Sequence, residues 1–145
     1  MQAIADTVTR VVHTIDAKHW DELRALYADS VRTDYTSLFG GAPQQQTGSA
    51  LIEGWKAALA KVATHHMLGP VVVGTHGPKA SAACHVRALH HAERAPSGQY
   101  WEVLGHYRFE LEQAALGAWL ITSMTLITYM QAGNAKLLEE ANAAP

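Results

Sequence analysis

Ser81-Ala82-Ala83-Cys84-His85-Val86-Arg87-Ala88-Leu89-His90-His91-Ala92 reads as one long extended strand, because alternation sorts its side chains onto two unlike faces. Cys84, Val86, Ala88 and His90 share a small, mostly apolar face, whereas His85, Arg87, Leu89 and His91 share the other. The same extended character continues on either side. His66 to Thr75, Tyr100 to Leu111 and Trp119 to Tyr129 are supplied with β-branched and aromatic residues. The separators His76-Gly77-Pro78-Lys79, Ala95-Pro96-Ser97-Gly98 and Ala114-Ala115-Leu116-Gly117 carry turn residues. Consecutive strands joined by short turns predict an antiparallel meander, which must curl over a second layer to bury one face.

That second layer lies in the first 63 residues, where the period is helical. Ile4, Val8, Val11, Val12 and Ile15 predict a helix over 2–17, with Asp16 at its end. Trp20, Leu23, Leu26 and Tyr27 predict a second helix begun near His19 and broken at Asp29-Ser30, followed by a short strand from Val31 to Tyr35. Phe39 to Gln46 is expected to be a loop. Thr47 or Ser49 can cap a third helix carrying Leu51, Ile52, Trp55, Ala58 and Leu59. The expectation is therefore an α+β cone: a curved antiparallel sheet wrapped over three N-terminal helices around one apolar pocket. The tail from Gly133 to Ala144 is expected to be helical, with Leu137-Leu138 packing on the mouth or on a neighbouring subunit. A chain of 145 residues matches a single domain spanning 1–145.

Composition removes several function classes. The formal charge of −2, with 17% of residues charged, leaves no basic stripe to neutralise phosphates, so nucleic acid is not an expected partner. No glycine-rich phosphate loop is present. The apolar run from Ala115 to Met124 is too short and broken to span a bilayer, and Asp6 and Arg10 interrupt any signal-like block. A cytoplasmic protein with no membrane association is expected. Cys84 is the only cysteine, which excludes an internal disulfide and a cysteine-based zinc site.

Nine histidines stand in the chain, and those at 65, 66, 85, 90 and 91 fall on two neighbouring predicted strands. Alternation places Thr64, His66 and Leu68 on one face and His65, Met67 and Gly69 on the other. Within each adjacent pair the rings diverge, so at most one of each reaches a common centre, and a tetrahedral metal site is not expected. The run His19-Trp20-Asp21-Glu22-Leu23-Arg24, then Asp34-Tyr35-Thr36-Ser37-Leu38-Phe39-Gly40-Gly41, then Thr64-His65-His66-Met67-Leu68-Gly69 resembles the scytalone dehydratase branch of the SnoaL-like, nuclear-transport-factor-two-like superfamily. The resemblance covers residues from about 8 to about 130 on domain-length grounds. It implies a cone fold and a catalytic set of Asp16, His66, Tyr35 and His90. It also implies that Tyr35 holds the reacting oxygen through water. One departure stands out: the tyrosine expected just before the helix-one aspartate is Ile15 here, so one of the two carbonyl-polarising phenols is missing.

These residue types suit proton abstraction beside a carbonyl. An imidazole near neutral pKa can take the proton, a carboxylate on its far nitrogen can fix the tautomer, and a phenol can donate to the developing enolate. The same dyad on this fold serves hexachlorocyclohexane dehydrochlorinase and bile-acid dehydratase, so it marks the step and leaves the substrate open. The expected wall is Trp20, Phe39, Leu51, Trp55, Leu68 and Val86, together with Ala88 and Tyr107. Which of His106 and Tyr107 faces inward is left open by alternation. The leading reading is a cofactor-independent, metal-free lyase or isomerase acting on a small apolar cyclic hydroxy-ketone. The alternatives are a non-catalytic binding or accessory protein, a polyketide cyclase, or an epoxide-opening hydrolase. Met67 and Leu89 on the outer face suggest a homo-oligomer, dimer or trimer.

Overall fold

Helix α1 (Gln2–Ala17) forms because Ile4, Val8, Val11, Val12 and Ile15 lie on one stripe, and all of them are buried. It stops where Lys18 enters the left-handed region at φ 57°. There His19 N–H donates to Thr14 O at 2.9 Å and Lys18 N–H to Ile15 O at 3.0 Å. The Lys18 ammonium also donates to Leu59 O at 2.8 Å, which pins the corner and sets where the last turn points. The computed structural model describes residues 1–145.

After α1 come α2 (Trp20–Arg24), β1 (Tyr27–Asp34), α3 (Thr36–Phe39), β2 (Gln44–Thr47) and α4 (Gly48–Ala58). The remaining elements are β3 (Ala63–Leu68), β4 (Val72–His76), β5 (Lys79–His91), β6 (Tyr100–Gln113), β7 (Trp119–Gly133) and α5 (Leu137–Ala143). The architecture is mixed α+β, with a curved open sheet in the order β2-β1-β7-β6-β5-β3 and β4 pairing with β5 off that path. β5, β6 and β7 form the expected antiparallel meander. β6 slips register against β7 at Leu104/Gly105 and again at Glu110/Leu111, irregularities of the kind that bend a sheet. Thr47 caps α4 by accepting Ala50 N–H at 3.0 Å on its hydroxyl.

Several expected boundaries are corrected. The second helix ends at Arg24, and Tyr27 opens β1 instead of closing that helix. Its ring is buried edge-on against Trp55 at 5.9 Å and its backbone pairs with Ile121, so tertiary packing overrides the local helical pattern. β1 runs parallel to β7, so the sheet is not wholly antiparallel. The segment expected as a loop holds part of α3 and most of β2, a short edge strand. The strand expected from His66 to Thr75 is two, β3 and β4, interrupted around Gly69-Pro70, because proline cannot donate to a ladder. Both halves pair with the long β5.

The inner face of the sheet packs on α1 in one continuous core that includes Trp101, Phe109, Leu111, Ile121 and Met124. On the outer face Met67 is exposed and Leu89 is half-buried. α5 is tied down by Asn142, which donates to Ala58 O at 3.1 Å, and by Glu140, which accepts Ser97 N–H at 3.0 Å. No helix is long and apolar enough to cross a membrane.

Candidate functional site

The pinned end of α1 turns Asp16 toward β3. Alternation along β3 leaves Thr64 and His66 half-buried while His65 and Met67 are exposed. Three groups of β3 then converge on one carboxylate. Thr64 Oγ1 donates to Asp16 Oδ1 at 2.8 Å, His66 N–H donates to Oδ2 at 2.8 Å, and His66 Nδ1 lies 2.6 Å from Oδ1. The side chains of His66 and Asp16 are only 8% and 18% exposed, so the pair is shielded from solvent screening. Burial pushes the Asp16 carboxyl up, but the hydrogen bonds and charge of His66 and the Thr64 hydroxyl outweigh it and hold it below its ordinary value. The carboxylate therefore accepts Nδ1–H. In the neutral ring this leaves Nε2, which has no partner in the chain, as the basic nitrogen.

His90 lies on β5 opposite Trp101 of β6, with its ring 4.5 Å from the indole and 6.2 Å from the His66 ring. Its Nδ1 donates to Trp101 O at 3.2 Å, because a carbonyl can only accept. Burial is the main force lowering its pKa from 6.5 to about 4, assisted by the neighbouring His66. His90 is thus a neutral Nδ1–H tautomer whose Nε2 is an acceptor. The sign of the linkage follows: the folded chain excludes a proton that the unfolded chain binds below pH 6.5. The associated stability is complete above pH 6.5 and is lost as pH falls toward 4, amounting to about 3 kcal/mol. Asp16, lowered from 3.8, gives up its own contribution only below that window. Urea unfolding between pH 7 and 4 is expected to show this loss in the wild type and not in His90→Gln; equal pH dependence in both would refute the assignment.

Tyr35 follows β1 and caps α3, and its hydroxyl lies 3.6 Å from Met124 Sδ; Tyr27 points at the same sulfur from 3.3 Å. A thioether is a weak acceptor, so neither phenol has a strong internal partner. Burial raises both phenols above their ordinary value and keeps them protonated.

Tyr35, His66 and His90 open onto one mostly apolar cavity of about 190 Å³. Phe39, Trp55, Ala88 and Tyr107 line it. Trp20, Leu51, Leu68 and Val86 do not, and these four placements are corrected. Leu68 and Val86 do point inward, but as a register pair two residues beyond His66 and Ala88, about 7 Å further along the strands. Leu51 is buried in the core, and Trp20 packs against that core from α2. Part of the wall was not anticipated: Ile15 and Leu38 from the helical layer and its connections, and Val103 and Leu126 from the sheet. Ala58 and Leu59, from the expected third helix, and Leu138, from the expected helical tail, also line it. Trp101 belongs both to this wall and to the core. Tyr107 is the inward member of its pair, 4% exposed, while His106 faces outward and bonds the Tyr129 hydroxyl. A larger depression beside Lys61, His91, Glu93 and Arg94 shares none of the cavity's residues. No three of the His, Cys, Asp and Glu side chains are grouped as a metal-binding set.

A family model described as the SnoaL-like domain matches residues 1–125. Among solved structures, the Kfla4162 protein from Kribbella flavida is 28% identical with a TM-score of 0.87, the match covering 95% of each chain. A candidate scytalone dehydratase from Novosphingobium aromaticivorans is 18% identical with a TM-score of 0.79, covering 92% of this chain and 87% of that one. A hexachlorocyclohexane dehydrochlorinase of type 2 is 14% identical with a TM-score of 0.76, again covering 92% and 87%. The last two similarities are of fold. No curated protein matches the sequence.

Proposed function

Since the chain belongs to the SnoaL-like domain family, we propose that it is a lyase or isomerase that removes a proton beside a carbonyl in a small, mostly apolar cyclic molecule, such as a hydroxy-ketone. The observation that carries this reading is the 2.6 Å contact between Asp16 and His66 at the wall of an apolar cavity. In this reading His66 Nε2 takes the proton and the C–H electron pair becomes the C=C of an enolate. Asp16 stabilises the imidazolium, and Tyr35 donates to the enolate oxygen. The carbonyl re-forms as the C–O bond of the leaving hydroxyl breaks, and that hydroxide takes the proton held on the His66 imidazolium to leave as water, which returns His66 to its neutral form. The net change is hydroxy-ketone to enone plus water. His90 Nε2, a neutral acceptor, is suited to orient a substrate hydroxyl. A volume of about 190 Å³ lies below the roughly 300–1,000 Å³ of drug-sized ligand pockets, which favours compact one- or two-ring substrates.

The chemistry as proposed requires no metal or organic cofactor, since the base, its orienting carboxylate and the proton donor are all side chains. The test is a panel of cyclic hydroxy-ketones followed by enone absorbance, with and without exhaustive chelation. Enone formation that is indifferent to the chelator is expected. Activity abolished by chelation and restored by a stoichiometric divalent ion would instead make Asp16, His66 and His90 ligands. Compounds that bind equally to wild type and His66→Ala with none converted would favour a binding protein.

A further inference from the structure

Tyr107 carries a hydroxyl that the fold leaves without a partner. The residue is 4% exposed and lies on β6 between Cys84 of β5 and Leu126 of β7. Its ring packs against Phe109 at 5.6 Å, which holds it in place. It lines the same cavity as Tyr35, His66 and His90. No side-chain or backbone group of the chain accepts from its hydroxyl, yet no side-chain oxygen in the protein is both fully occluded and unbonded. The free hydroxyl is therefore reached from the cavity, which Tyr107 lines together with Tyr35, whose only acceptor is a thioether at 3.6 Å. A largely buried O–H without an acceptor is destabilising until something arrives to accept it. Burial raises the Tyr107 phenol well above its ordinary value and keeps it protonated. On the α1 side of the cavity Ile15 contributes only hydrocarbon.

We propose that Tyr107 is a substrate-contacting donor that, with Tyr35, forms a two-phenol site for the ligand's carbonyl or enolate oxygen, supplying from β6 the donor that position 15 lacks. This deepens the lyase reading and rests on it for its chemical role. It also commits to a ligand class: molecules that present a single accepting oxygen, anionic or becoming so, on an otherwise apolar ring. The oxygen docks on the phenols, and the acidic C–H faces His66.

The probe is 4-nitrophenolate at alkaline pH, with nitrobenzene as the ring lacking the oxyanion, measured against wild type, Tyr107→Phe and Tyr35→Phe. Removing one charge-assisted hydrogen bond is expected to weaken phenolate binding by about ten- to a hundred-fold, with nitrobenzene changed by less than about threefold. The absorption maximum of the bound phenolate is expected to move to longer wavelength in Tyr107→Phe, because a donor that stabilised its ground-state charge is gone. Equal weakening for both probes would show a packing role and overturn the proposal. So would unchanged phenolate binding in Tyr107→Phe, or a wild type that does not prefer phenolate to nitrobenzene. If the phenolate results hold while no hydroxy-ketone is converted, the lyase reading fails by itself and the two-phenol site stands.

Discussion

Turnover is expected to fall by roughly 10²–10⁴-fold in His66→Ala, while affinity for the substrate changes little. The loss is confined to the rate because the imidazole's proton transfer exists only in the transition state, whereas the cavity wall contacts bound ligand before and after it. Asp16→Asn is expected to be nearly as severe, on the order of 10⁴-fold by analogy with the aspartate of serine-protease triads. An asparagine fills the same volume and can still accept from Thr64 or His66 N–H. It cannot stabilise an imidazolium, and turning its NH₂ toward Nδ1 enforces the wrong tautomer. Steady-state kinetics on any converted hydroxy-ketone, with circular dichroism as the folding control, decides this. Asp16→Asn with a wild-type rate would remove the dyad from the mechanism.

Gly105→Ala is expected to cost about 3 kcal/mol or more of stability, a fall in Tm of about 10 °C. A Cβ at this position would sit 2.0 Å from Ile127 O, 3.0 Å from Ile127 C and 3.1 Å from Thr128 Cα. All three are backbone atoms of β7, so no side chain can swing aside and the strands must part at the register shift between Leu104 and Gly105. Gly54→Ala supplies the contrast. Its Cβ would meet nothing within 4 Å and it lies inside α4, so a gain of about 0.5–1 kcal/mol is expected from helix propensity. Urea unfolding of the two variants beside the wild type measures both. A Gly105→Ala protein as stable as its parent would mean that β6 and β7 do not approach as closely as described.

Much of this site was readable from alternation. The faces of β5 follow from residue type, because Cys84, Val86 and Ala88 differ so clearly from His85 and Arg87, and His90 follows them inward; on β3 alternation only separates His65 from His66, and the resemblance chose His66. What alternation cannot supply is depth along the cone. Leu68 and Val86 share the inward face with His66 and Ala88, but the cavity ends before reaching them. The neighbours of Tyr107 gave no such contrast, since His106 and Tyr107 are both amphipathic; the cross-strand register decides between them. Tyr27 misled because Trp20, Leu23 and Leu26 share its helical spacing, while the partner that makes it a strand residue, Ile121, lies far along the chain. Contacts of that separation leave no local signature. The contribution of Leu138 was half visible: the tail was expected to be helical, but whether it met the mouth or another subunit depended on Asn142 reaching Ala58 O.

The Asp16 carboxylate also bears on how the protein keeps to itself. β3 is the last strand on its side of the sheet, so one rim of its backbone has no neighbouring strand. An uncovered amide on such a rim is a template on which a strand from another molecule can pair. His66 N–H is such an amide, and it is given to Asp16 Oδ2 at 2.8 Å. The negative charge that orients the imidazole is thus also a stopper on the open rim, placed where a foreign carbonyl would otherwise dock. Asp16→Ala is therefore expected to leave the His66 amide without an acceptor and to pair more readily with a foreign strand, as well as to free the imidazole ring from its carboxylate.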